Sequence, residues 1–207
     1  MIFLPFQIIH GQRKSDIGII GGASYYLGDI NHSRHFYSPS PMGGILLRYN
    51  FNQRNSIRFS GIYASLKGDP ADLNEPYPNS GHPAFSTNLV DLGIVTEFNF
   101  MTYQATKTRK DRYTPYISGG IGYTVAFQGE KSAALSFGGG FKYNVSTRMS
   151  AGFDWTFRKS FSDLLDGVQN IGYENNVFFH NKDWYSLVGV FVTYKIFDWG
   201  MDCPAYE

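Results

Sequence analysis

Cysteine is almost missing from this chain, which has 207 residues and a single thiol, Cys203. One thiol excludes an internal disulfide framework and a Cys-based zinc cluster. Charge is sparse too, since Asp, Glu, Lys and Arg make up only 17%, below the usual quarter. Lys and Arg number 18 against 17 Asp and Glu, a net charge of +1, so there is no basic excess suited to nucleic acid. No apolar run approaches the ~18–20 residues of a membrane-crossing helix, and helical amphipathic periodicity is nearly absent. What fills the chain instead is glycine (23 residues) and aromatic side chains at 17%, with 15 Tyr and 18 Phe.

Period 2 dominates. In residues 149–161 the odd positions carry Met149, Ala151, Phe153, Trp155, Phe157, Lys159 and Phe161, and the even positions Ser150, Gly152, Asp154, Thr156, Arg158 and Ser160. The same split into an aromatic and a small or charged face recurs at 16–27, 88–100, 116–127, 132–143 and 184–197; two further strands fit at 42–51 and 56–66. That predicts eight strands of about 10–14 residues. Membrane strands need ~9–11, whereas globular strands average about 5–6. Connections are long after strands one, three and seven and short after two and six, at NQRN and STR; two depart from this, QGEK after strand five being short on the long side and 101–113 long on the short side. Short turns on one side and long loops on the other are the outer-membrane pattern. The expected fold is all-β: an eight-stranded antiparallel transmembrane outer-membrane β-barrel, with long loops extracellular and short turns periplasmic.

A soluble barrel would turn the aromatic face inward and the polar face to water, but Ser, Gly, Ala and Thr are too small to make a wet surface. They suit a narrow lumen, which eight strands leave just filled by side chains. The expected lumen charges are Arg48, Arg58, Lys142, Arg158 and Lys195 against Asp91, Glu97 and Asp154. Buried charges of both signs must pair, so this set is read as a structural plug and not a pore. Tyr49, Phe51, Phe98, Phe100, Trp184 and Tyr194 fit interfacial girdles, where rings sit between lipid and water.

Sites of chemistry are few. His32, His35, His82 and His180 lie in the long loops and lack the i, i+2 spacing of strand metal pairs; Asp163, Asp166, Glu174 and Asp183 lack the spacing of a calcium loop. Neither group is expected to act, and no metal, cofactor, small-molecule substrate or nucleic acid is expected. The densest basic cluster is TKTRKDR, with Lys107, Arg109, Lys110 and Arg112. On the short-turn side it would face the periplasm, either docking an acidic partner or forming an ordinary solvated turn. Residues 1–12, MIFLPFQIIHGQ, read as the rear half of a signal peptide without a basic start, so the natural start is expected upstream. The barrel is expected over 13–199 and a periplasmic tail over 200–207, packing on the rim or reaching a partner. Cys203 is either a lone buried thiol or an intermolecular bond.

The stretch GGASYYLGDIN, the LRYNF of strand two, LKGD after strand three, FRKSFSDLLDGV entering the last loop, and the late CP pair occur in that order. Together they resemble the PorG-like, DUF6089-like outer-membrane barrels of the type IX secretion and gliding machinery of Bacteroidetes. The resemblance implies a barrel surrounded by outer-membrane lipid that anchors or organises a periplasmic ring of lipoprotein and partner subunits, with no enzymatic role. It also implies that GDIN is a strand-to-loop corner, Asp29 and Asn31 capping turn amides. The alternatives are a surface barrel like OmpA or OmpX that binds ligands through its long loops, and a lipid-modifying barrel enzyme using the loop histidines.

Overall fold

The computed structural model describes residues 14–27, 35–36, 38–68, 85–101, 103, 112–127, 129, 131–146, 148–161 and 184–198. Eight strands run in order: β1 Lys14–Leu27, β2 Ser40–Asn50, β3 Asn55–Gly68, β4 Phe85–Asn99, β5 Tyr113–Ala126, β6 Lys131–Asn144, β7 Met149–Ser160 and β8 Trp184–Asp198. Each pairs antiparallel with the next, and β8 returns to β1, closing the barrel. The expectations placed on residues 1–12, the tail 200–207 with Cys203, and His32, His82 and His180 lie outside the described residues, as do Lys107, Arg109 and Lys110.

The strands extend beyond the residues that alternate in sequence. β4 starts at Phe85 because Gly68, Lys67 and Leu66 of β3 pair with Phe85, Ser86 and Thr87. Polar side chains there carry no periodic signal, but the neighbouring backbone still requires partners. The β1–β8 seam adjusts its register between Ser15 and Asp16, so that Asp16 faces Lys195 and Ser15 faces Phe197. Such a shift is a common device at barrel rims.

Register makes parity consistent around the wall. Asp16 lies opposite Arg48, and Arg48 opposite Arg58, so all three point inward. Ile17, Ile19, Ile45, Leu47, Phe59, Leu92, Ile94, Ile121 and Val190 point outward and are exposed, Ile19 to 66%. An apolar band this continuous exceeds the patches a soluble monomer tolerates, while the charged residues between those positions are buried. The barrel is inverted relative to a water-soluble one.

The lumen departs from the expectation of small and charged groups alone. Ile20, Met42, Leu46, Ile62, Leu66, Leu89, Leu187 and Phe191 are also buried within it. They fill volume that the shorter side chains of β5–β7 leave. Glycine takes the inward positions where strands approach most closely: a Cβ on Gly140 would lie 2.0 Å from Phe153 O and 2.8 Å from Tyr116 Oη.

Gly140→Val is therefore expected to block folding or cost at least the ~1–3 kcal/mol of overpacking. Gly119→Ala, on the outer wall with nothing within 4 Å, should be tolerated. Heat-modifiable mobility on gels separates folded from unfolded barrel; loss of the folded band for Gly119→Ala, or its retention for Gly140→Val, would contradict this packing.

Candidate functional site

Toward the end where the short turns lie, the lumen holds a six-member ion cluster built on Glu97. Arg48 Nε donates to Glu97 Oε2 at 2.8 Å, Lys142 Nζ to the same oxygen at 2.5 Å, and Ser56 Oγ also to it at 3.0 Å. Arg58 Nε lies 3.2 Å from Glu97 Oε1, and its Nη2 lies 3.1 Å from Asp154 Oδ2. Asp154 also accepts from the Tyr116 hydroxyl, while Asp16 sits 3.8 Å from Arg48 Nη1 and accepts from Asn50 Nδ2 at 3.2 Å. Three cations (Arg48, Arg58, Lys142) thus meet three carboxylates (Asp16, Glu97, Asp154), and the cluster is neutral. Aromatic faces complete it, with Lys142 Nζ 4.3 Å from the Tyr116 ring centroid and the Arg48 guanidinium 5.1 Å from that of Phe191.

A second, smaller cluster lies toward the other end. Arg158 grips Asp91 with Nε at 3.2 Å and Nη2 at 3.1 Å, the two-pronged geometry suited to a carboxylate. The Tyr185 hydroxyl donates to Asp91 Oδ2 at 2.6 Å and contacts Thr124 Oγ1 at 2.6 Å. Gly93 makes room for the guanidinium, since a Cβ there would lie 3.0 Å from Arg158 Nη2. Burial of a charge without a partner is costly, and each charged group has a partner of opposite sign; Asp16 Oδ1, Arg48 Nη1, Arg58 Nε and Nη1, and Arg158 Nη1 are buried without a hydrogen bond of their own.

The turn-end mouth is covered by the chain that leaves β4. Tyr103 N donates to Gln53 O at 3.3 Å on the β2–β3 turn, and Met101 N to Thr114 Oγ1 at 3.1 Å. From there the Tyr103 ring leans over the lumen, with Lys142 Nζ 5.9 Å from its centroid. Burial pushes its phenol up to about 12, with the charges of Arg48 and Asp16 acting on it in opposite directions. It therefore stays neutral in physiological conditions.

Seven of the eight expected lumen charges (Arg48, Arg58, Asp91, Glu97, Lys142, Asp154 and Arg158) fall in these two clusters. Lys195 stands half-buried at the turn-end rim, its Nζ donating to Asn144 Oδ1 at 3.4 Å. Reading aromatics as outward groups missed three tyrosines: Tyr116 and Tyr185 bridge the ions, and Tyr103 covers the mouth. For the first two, strand parity alone was a sufficient signal, since each shares the polar positions of its strand. Asp16 carried the same signal. Of the girdle, Tyr49 and Phe51 pack at 5.1 Å and Phe98 and Phe100 at 5.6 Å on the outer wall of the turn end.

His35 is the loop histidine within the described residues. It packs on the outer wall, its Nδ1 3.5 Å from the Tyr25 hydroxyl and its ring 6.4 Å from those of Trp155 and Phe157. Trp155 Nε1 donates to both Tyr25 Oη at 3.2 Å and Ser186 Oγ at 3.0 Å. This is a packing cluster that hides Tyr25, and it contains no nucleophile–base pair. Among the described residues no group of three or more His, Cys, Asp or Glu is placed to hold a metal.

A family model described as a domain of unknown function, DUF6089, matches residues 1–205. The chain belongs to the DUF6089 family. No curated protein matches it. Among solved structures, the DUF6089 barrel is similar to Neisserial surface protein A at 14% identity, covering 88% of this chain and 97% of that one with a TM-score of 0.52. It is also similar to the N-terminal β-barrel domain of Pseudomonas aeruginosa OprF (13% identity, 90% and 99% covered, TM-score 0.48). The attachment invasion locus protein Ail of Yersinia pestis matches at 13% identity, with 90% and 100% covered and a TM-score of 0.49. At such identities the likeness extends to the fold: a closed eight-stranded barrel of the outer-membrane type.

Replacing Glu97 by Gln leaves three cations around a neutral amide and should cost about 3–5 kcal/mol. Asp91→Asn should also destabilise, and Arg158→Met should then cost less in the Asp91→Asn background than in the wild type, because the pair is already broken. Urea unfolding of the barrel in lipid vesicles measures both; additive losses for Asp91 and Arg158 would show that the contact contributes nothing.

Proposed function

We propose that this protein is a non-enzymatic barrel of the outer membrane that anchors or organises the periplasmic ring complex of the type IX secretion and gliding machinery. The observation that carries the reading is the filled lumen. Paired ions, tyrosines and apolar side chains occupy the tube, and Tyr103 covers its turn-end mouth, so among the described residues neither a solute path nor a reactive cluster opens inside. A barrel of this kind works through its rims.

The outward apolar band supports residence in lipid, because Ile19, Ile45, Ile121 and Val190 at 61–66% exposure suit hydrocarbon and not water. The direction of insertion follows loop length, with the 51–54 and 145–148 turns in the periplasm. Support for the secretion machinery comes from the ordered resemblance of GGASYYLGDIN, LRYNF and FRKSFSDLLDGV to PorG-like barrels. The remainder of the work would fall to the turn end, which alone faces a periplasmic ring.

Deletion of the gene is expected to abolish export of proteins bearing the type IX sorting domain, and purification of the tagged barrel from native outer membrane should bring ring subunits with it. Normal export in the deletion strain would end this reading.

A further inference from the structure

The connections at the two ends of the barrel carry opposite charge. At the turn end, segments 51–54, 100–112 and 145–148 hold six cations (Arg54, Lys107, Arg109, Lys110, Arg112 and Arg148) and one acid, Asp111. At the other end, segments 28–39, 69–84, 127–130 and 161–183 hold nine acids against two cations, Arg34 and Lys182. The strands between them carry nine cations (Lys14, Arg48, Arg58, Lys67, Lys131, Lys142, Arg158, Lys159 and Lys195) against five acids (Asp16, Asp91, Glu97, Asp154 and Asp198), so the contrast lies in the connections and not in the wall. The net charge of +1 therefore conceals a bipolar molecule, and such fields steer and select partners.

The turn end is also rigidly built. Its three connections each contribute an arginine within the described residues, and each is tied by backbone hydrogen bonds to the strand or turn beside it. Arg54 O accepts from Asn99 N at 2.7 Å, Arg112 O from Asn144 N at 2.7 Å and Arg148 O from Lys195 N at 2.9 Å. Asn52 Oδ1 further caps the first turn, accepting from Arg54 N at 2.8 Å and Asn55 N at 2.7 Å. Because the three turns alternate around the mouth, their arginines are distributed on three sides of it, and Tyr103 fills the centre. Groups fixed in advance lose little freedom on binding.

We propose that this end is a preorganised docking surface for an acidic protein segment, gripped by Arg54, Arg112 and Arg148 around the Tyr103-covered mouth. A protein fits the geometry better than lipid headgroups do. The chain from Met101 to Tyr103 turns inward over the lumen, bonding across to Gln53, so the centre of the surface lies within the ring of strands; Arg148 stands at its margin, with Nη1 3.5 Å from the outward Tyr194 hydroxyl. That the partner resides in the periplasm rests on the function proposed above; the binding chemistry does not.

The test uses the full chain in phosphatidylcholine nanodiscs and poly-L-glutamate as the acidic probe, with affinity measured at low and high salt. Wild type should bind in a salt-sensitive manner, and the triple variant Arg54→Glu, Arg112→Glu, Arg148→Glu should bind at least about tenfold more weakly. Lys67→Glu with Lys131→Glu, exposed on the outer wall of the opposite end, should stay within about twofold, and heat-modifiable mobility checks that all three proteins are folded. Absence of wild-type binding, or equal affinity in the triple variant, would overturn the proposal. So would arginine-dependent retention of phosphatidylglycerol without polyglutamate binding, which would assign these residues to headgroups. Normal type IX export in a deletion strain would remove the ring reading and leave this binding intact, so the two fail separately.

Discussion

Hydrocarbon offers no hydrogen bonds, and that constraint organises this protein. A strand exposed to lipid must have every backbone N–H and C=O paired with a neighbour, so a sheet can persist there only by closing on itself. The β1–β8 ladder, running from Lys14 opposite Asp198 to Leu27 opposite Trp184, performs that closure. Once the sheet is closed, alternate side chains have only two destinations. Outward positions meet lipid and must be apolar; inward positions share a tube too narrow for bulk water and must satisfy one another.

The ion clusters are the consequence of the second requirement. Eight strands leave a lumen that side chains fill, and the inward faces supply arginines, lysine and carboxylates that cannot reach solvent. Glu97 answers this by accepting from Arg48, Lys142 and Ser56 while standing beside Arg58. Tyr116 and Tyr185 extend the same logic, since each is bulky enough to fill space and donates its hydroxyl to a carboxylate. Leu46, Phe191 and their neighbours occupy the rest. The interior thus holds the tube in one register.

Much of the wall was readable before any coordinates. Alternation in residues 149–161 assigned Asp154 and Arg158 to one face and Phe153 and Trp155 to the other, and β7 keeps that division. Strand ends were less legible: Ser86 and Thr87 have no periodic hydrophobicity, yet they belong to β4 because β3 opposite them needs partners. Tyrosine was read mostly as an outward group, with Tyr49 and Tyr194 in the girdle. Its amphipathic character admits both positions, and Tyr194 lies outward while Tyr185 lies inward on the same strand.

From the amino-acid order alone came the number of strands, the side of the wall each residue takes, and the sparse charges that would need partners. Those are local properties, set by a two-residue repeat that any extended backbone imposes. Which carboxylate meets which cation was decided by the folded tube. Glu97 and Lys142 are 45 residues apart and Asp91 and Tyr185 are 94, and only the stagger of closed strands brings such positions to one level. The covering of the mouth by Tyr103 belongs to that class as well, for it depends on where the β2–β3 turn stands beside the end of β4.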